Sequence, residues 1–194
     1  LNIKDAATKG YVDAVSSSSD AKSPVKVSSI TDLDSNVSII GPITYNSTAG
    51  VSGRGQIMAT LILVDIFSID GINLSSFDNG VRILLKDQIS ADQNGIWTST
   101  ISGTSLILDR ALDFDQDYEV SSGSTVFSSE GINNADSGFL LTTDGPIIIG
   151  GTTGRPLYFS KFTGAGQIDA GNGLIKFGNS INVIGSSTLI SNAD

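Results

Sequence analysis

Residues 79–112 read NGVRILLKDQISADQNGIWTSTISGTSLILDRAL, and how this stretch folds decides the class of the molecule. Val81, Ile83 and Leu85 alternate with Arg82 and Leu84 directly after Asn79 and Gly80, a pair favoured in tight turns beside strands. SADQNG is a second turn signal, and IWTSTI follows it as another strand. Ser102 and Gly103 then separate that strand from SLILDRAL, a plausible hairpin partner. Three short strands therefore follow one another with polar turns between them.

The same rhythm extends in both directions. VKVSSI at 25–30 alternates, GPITYNSTAGVSGRGQ at 41–56 is turn-rich and reads as a long loop, and IMATLILVDIFSI at 57–69 is an apolar run long enough for one buried strand or two. DGINLSSFDNG at 70–80 carries turn signals at both ends. STVFSSEG, GFLLTTDG, PIIIGG and PLYFSKF add short strands at roughly ten-residue spacing. The expectation is a mainly β chain, with a sandwich- or barrel-like antiparallel domain.

The two ends differ from this middle. NIKDAATKGYVDAV at 2–15 reads as a helix, with Asp5 as N-cap and Ala7, Tyr11 and Val15, with Ala14 beside them, on one face. A helix of that length, with Gly10 in its middle, is marginal alone in water. Its apolar stripe either docks on its own domain or meets copies of itself around a symmetry axis. SSSSDAKSP at 16–24 ends it as a flexible linker. At the other end, GAGQIDAGNGLIKFGNSINVIGS is Gly-rich, with GLIKF and INV placed as the two strands of a tight hairpin. The expected division is a helical connector at 1–20, a linker and first strand at 21–42, a β-domain at 43–163, and a Gly-rich hairpin at 164–194 leading into a further module. A start at Leu1 and an end at SNAD suggest a segment of a longer polypeptide.

Composition excludes several functions. The formal net charge is −9 and only 11 of 194 residues are Lys or Arg, scattered singly, which argues against nucleic acid and anionic membrane surfaces as partners. There is no Cys, so neither disulfides nor thiol chemistry, and no His, the commonest general base and metal ligand. No apolar run reaches the ~20 residues of a membrane-spanning helix. The best, at 57–69, carries Asp65. No signal peptide is visible.

NIKDAATKGYVDAV resembles the connector segment of bacteriophage tail-fibre proteins, where a D-A-A-T-K-x-Y-V-D run recurs between modules. IDGINLSSFDNGVRILLKDQISADQNGIW resembles a β-domain common in such fibres: an I-D-G-x-x-L turn, then G-x-R-V-L-x-K, a polar insert and N-G-I-[WY]. DRALDFD, EGINNADSGFLLTTDGPIIIG and FSKFTGAGQIDAGNGLIKFGNSINV continue the pattern in order, so the resemblance covers 2–15 and about 57–184. Asn79 stands where the pattern favours Asp, and GGTTGRPLYF is longer than usual. The resemblance implies a virion protein on a phage tail, usually a homotrimeric fibre, touching other tail or baseplate proteins, with a host cell-surface glycan as a candidate ligand. Other placements it allows are a capsid-surface fibre, a baseplate adaptor, or the non-catalytic part of a polysaccharide-degrading tail spike.

Candidate chemistry is sparse. DRALDFDQDYE gathers Asp109, Asp113, Asp115, Asp117 and Glu119. Alternate acids can present oxygens to Ca²⁺, but Tyr118 stands where an EF-hand loop starting at Asp113 needs Gly. A solvated loop anchored by Phe114 and Tyr118 is the expectation, with Asp113, Asp115, Asp117 and Glu119 the residues a metal would use. Asp87 and Asp92 flank a polar turn as a glycosidase pair would, yet turn residues are expected there. The serines lack a His and a G-x-S-x-G context. GAGQIDAGNG is Gly-rich like a phosphate loop, but no helix pattern follows it. Trp97, Tyr45, Tyr118 and Tyr158 could stack on sugars, and core positions are expected for them. The expectation is no catalysis, no cofactor, and an oligomer interface at Ala7, Tyr11, Ala14 and Val15.

Overall fold

The computed structural model describes residues 20–163, 174–177 and 180–183. The expected helix at 2–15, with its stripe of Ala7, Tyr11, Ala14 and Val15, lies outside the described residues. In chain order the strands are β1 (Val27–Ser28), β2 (Ile39–Asn46), β3 (Gln56–Leu61), β4 (Phe67–Ile69), β5 (Ile72–Leu74), β6 (Arg82–Leu85), β7 (Gly95–Ser102), β8 (Ser105–Arg110), β9 (Thr125–Ser128), β10 (Ser137–Leu141), β11 (Phe159–Thr163), β12 (Leu174–Phe177) and β13 (Ser180–Val183). Helical structure among the described residues is confined to single 3₁₀ turns.

The main sheet has the order β1-β6-β7-β8-β3-β2, and a second has the order β11-β10-β9. Among the described residues every strand pair but one is antiparallel; β1 runs parallel to β6, with Val27 opposite Ile83. The chain is mainly β as expected; the sandwich- or barrel-like antiparallel domain is corrected in that the main sheet is mixed and not closed. The main sheet stays open, with β1 and β2 as its end strands.

β6 explains why. Ile83, Leu84 and Leu85 are all fully buried. Successive side chains leave opposite faces of a strand, so a continuous apolar run marks a strand covered on both sides. Ile83, Leu85 and Trp97 face one core, with Ile57, Leu61, Leu106 and Leu108; the β4–β5 hairpin closes it with Phe67, Ile69 and Leu74. Leu84 and Ile96 face a second core, with Phe114, Val126, Phe139 and Leu141.

Residues 20–29 form a strap that joins the two sheets. Its first half lies parallel to β9, where the amides of Lys22 and Val25 donate to Thr125 and Phe127 carbonyls at 2.8 and 2.9 Å. Its second half follows β6, with the amides of Lys26 and Ser29 donating to Arg82 and Leu84 carbonyls at 2.9 and 2.8 Å.

Four local expectations are refined. The apolar run at 57–69 is two strands, β3 and β4, parted by a turn in which Asp65 takes a φ of 63°. GPITYN is not loop but most of β2; its Pro42 is tolerated because β2 is an edge strand. PIIIGG forms no strand, although Ile147 and Ile149 fill the second core. Its backbone bonds to loops instead, the Ile149 amide donating to the Asp117 carboxylate at 2.8 Å. Asn79 and Gly80 make a turn but no hairpin, since β5 pairs with β4. The hairpin turn is Asp70 and Gly71, with φ of 45° and 76°, both left-handed as a two-residue turn of this kind requires.

Candidate functional site

Of the acidic residues of 109–119, Asp109, Asp113 and Asp117 take separate partners, and only Asp115 and Glu119 meet. Asp109 accepts from Gln56 Nε2 at 2.9 Å. Asp113 pairs with Arg82 at 2.8 Å and accepts from the Ser23 amide at 3.2 Å, tying the strap to the loop. Asp117 binds the Ile149 amide and lies 3.6 Å from Arg54. Among the described residues, no group of three or more His, Cys, Asp or Glu is placed to hold a metal ion. Asp115 is buried beside Glu119. Burial first, and the Asp115 carboxyl second, push the Glu119 carboxyl above its ordinary range. Phe114 anchors the loop in the second core. Tyr118 does not; it is 85% exposed.

Asp87 and Asp92 stand in different settings. Both Asp87 oxygens take the Lys86 ammonium, at 3.0 and 2.8 Å, and one accepts from Ser29 Oγ at 2.8 Å. Asp92 sits in the 3₁₀ turn Ala91–Gln93, where its main-chain carbonyl accepts from Arg110 Nη2 at 2.7 Å. The Gly-rich stretch at 164–173 lies outside the described residues. Of the aromatics, Trp97 is fully buried and Tyr45 packs edge-on against it with ring centres 6.3 Å apart. Tyr158 is exposed, so the core expectation fails for Tyr118 and Tyr158. Both stand on chain outside the regular strands, where no sheet face covers them.

What the sequence reading missed is Arg110. It is buried, its guanidinium lies 4.1 Å from the Trp97 ring centre, and Nη1 donates to the Asn94 carbonyl at 2.5 Å. Asn94 in turn accepts the Gln88 amide at 2.9 Å and donates to the Leu157 carbonyl at 2.8 Å. Burial pulls the Arg110 guanidinium below its ordinary value, opposed by Tyr45 and Asp92. The signal was readable: Leu106, Leu108 and Arg110 share one face by the period of two. A charge at the end of a buried face has to find partners inside the fold.

A second joint lies at Asp70, also buried. Its carboxylate accepts from the Asn133 amide at 3.0 Å, Asn133 Nδ2 at 2.7 Å and the Asn134 amide at 2.9 Å. Asn134 Nδ2 continues to the Ser29 carbonyl at 3.1 Å. Asn79 forms a third joint, accepting the Ile101 amide at 2.6 Å and donating to its carbonyl at 3.1 Å.

These polar groups hold segments together: Asp70, Asp87, Asp109, Asp113 and Asp117 each bond to another part of the chain. The arrangement is that of a braced scaffold. No family model matches the chain, and no curated protein and no solved structure matches it.

Proposed function

We propose that this chain is a structural and adhesive module of a bacteriophage tail fibre, acting as a homotrimer and without catalysis. The observation that supports the reading is how the resembling motifs meet. Asp70 of IDG holds Asn133 and Asn134 of EGINNAD. Arg110 of DRALDFD holds Asn94 of NGIW and stacks on its Trp97. Motifs as far as 64 residues apart are thus parts of one frame, so their colinear order has a mechanical reason. A fibre module bears load and presents loops; it needs rigid joints more than a reactive centre.

In this reading the stripe of Ala7, Tyr11, Ala14 and Val15 is buried between chains. Light scattering on the purified chain should give three times 20.1 kDa. A monomer at micromolar concentration would refute the trimer. Tyr11→Ala should weaken association, at a cost of about 2–4 kcal/mol per chain, and leave the β-domain folded. Incubation with host capsule or lipopolysaccharide should release no reducing ends. Gold-labelled antibody on intact particles should mark the tail; label on the capsid would favour the alternative of a capsid-surface fibre.

A further inference from the structure

The described residues contain the pairs Asp70-Gly71, Asn79-Gly80, Asn94-Gly95 and Asp144-Gly145. An Asn-Gly or Asp-Gly pair can modify itself with water as the only co-reactant. The glycine amide nitrogen attacks Cγ of the preceding side chain and forms a C–N bond. The Cγ–N bond of Asn or the Cγ–O bond of Asp breaks, and ammonia or water leaves carrying the amide proton. The five-membered succinimide then adds water at either carbonyl, giving aspartate or isoaspartate. Glycine favours the reaction because no side chain hinders its nitrogen. Ring closure needs an acid or amide side chain free to swing over the next peptide, and a glycine amide free to meet it at close range.

Three of the pairs are locked. Asp70 is buried, and its two carboxylate oxygens are held by Asn133 and Asn134. The Ile132 side chain covers Gly71 so closely that a Cβ there would overlap it. Asn94 is buried with both ends of its side-chain amide bonded, to the Gln88 amide and the Leu157 carbonyl. Gly95 lies buried at the start of β7 beneath Arg110 and Phe114. Asn79 and Gly80 are exposed, so hydrogen bonds alone restrain them. The Asn79 side chain is clamped on both main-chain groups of Ile101, and the Gly80 amide donates to the Ser99 carbonyl at 2.8 Å.

Asp144-Gly145 has neither restraint. The chain is fixed on both sides of it: Thr143 Oγ1 accepts from the Tyr158 amide at 2.8 Å, and Ile147 is buried in the second core. Between these anchors Asp144 and Gly145 are exposed. Neither the Asp144 carboxylate nor the Gly145 amide is bonded to any of the described residues. Beyond its chain neighbours, no atom lies within 4 Å of where a Cβ on Gly145 would stand.

We infer that Asp144 is a self-modification site, converting to isoaspartate in the folded chain, while the fold locks Asp70, Asn79 and Asn94 against the same chemistry. Isoaspartate routes the main chain through Cβ and Cγ, one atom longer, and the open space around Gly145 accommodates it. At Asn79 or Asn94 the same reaction would replace an amide donor by an acid facing a carbonyl and break a joint of the frame. The site does not depend on the fibre reading.

The test stores the folded chain and the guanidinium-unfolded chain in the same neutral buffer and maps both by peptide fragmentation. Deamidation is read from the mass gained when an amide becomes an acid. Isoaspartate is read by methyl transfer from labelled S-adenosylmethionine with an isoaspartyl methyltransferase. A locked pair reacts only when its segment opens, so folding should slow Asp70, Asn79 and Asn94 at least tenfold and Asp144 by less than tenfold. Asp144→Glu cannot close the five-membered ring, and methylation of the 144–145 segment should end in it. The emission of Trp97, the single tryptophan, verifies that this variant is folded. Slowing of less than tenfold at any locked pair overturns the lock. Slowing of tenfold or more at Asp144, or methylation of that segment persisting in Asp144→Glu, overturns the site.

Discussion

Replacing Arg110 by Ala removes the brace between β8, the 90–94 turn and Trp97. Two hydrogen bonds from a charged donor are lost, at 2.5 and 2.7 Å, each contributing about 1.5–3 kcal/mol. The stacking of a desolvated guanidinium on an indole adds about 2 kcal/mol. Against this gross gain of about 5–8 kcal/mol stands the cost of burying the cation, several kcal/mol. The net loss expected for Arg110→Ala is about 3–5 kcal/mol, since it also empties space beside Trp97 and strands the Asn94 and Asp92 carbonyls. Arg110→Met refills that space and removes the buried charge, so it should lose about half as much. For a domain of this size, the Ala variant should melt roughly 6–20 °C lower. Urea unfolding followed by Trp97 fluorescence reads the effect at its source. A loss below about 1 kcal/mol for Arg110→Ala would refute the brace. So would Arg110→Met proving more stable than wild type, because desolvation would then outweigh the bonds.

The strap carries a pH signature. Burial works to raise the Asp20 carboxyl, but bonds from Lys22, Ser124 and Ser121 outweigh it and hold it below its ordinary value of 3.8. Its stabilising share is therefore present above that value and is lost as pH falls through the lowered one; limited proteolysis between 16 and 26 should accelerate there. Glu119 has the opposite sign: its raised carboxyl makes stability decline as pH climbs from its ordinary 4.5 through the raised value. Glu119→Gln should flatten that decline in urea midpoints. Asp70→Ala should cost about 2–4 kcal/mol by stranding the 133 and 134 amides, with amide exchange at those positions rising first. Gly150→Ala should not fold, because at a φ of 56° its Cβ would overlap the Arg54 carbonyl, visible as insoluble expression. Gly103→Ala meets open space at a φ of 61° and should cost only about 1–2 kcal/mol in thermal melts.

The β class, the strands of 82–110 and the turns at Asp70 and Gly103 were legible in the chain, whereas 57–69 left one strand or two open. Each is a local matter: a period of two, or a backbone angle that only certain residues accept. The C-terminal hairpin of β12 and β13 was readable for the same reason. Partnership was not. RILL announces a strand buried on both faces, yet nothing nearby in sequence says that Leu84 meets Phe139 and Leu141 while Ile83 and Leu85 meet Phe67 and Leu74. Nor does any local pattern place the strap between β9 and β6, send Asp113 to Arg82, or carry Ile147 and Ile149 into a core without a strand. The side-chain period fixes which face a residue takes, but what covers that face is decided by segments far away along the chain. Such contacts form only where apolar burial and satisfied hydrogen bonds together outweigh the entropy of closing the loops between them. That condition belongs to the assembled tertiary structure and to no single stretch of the chain.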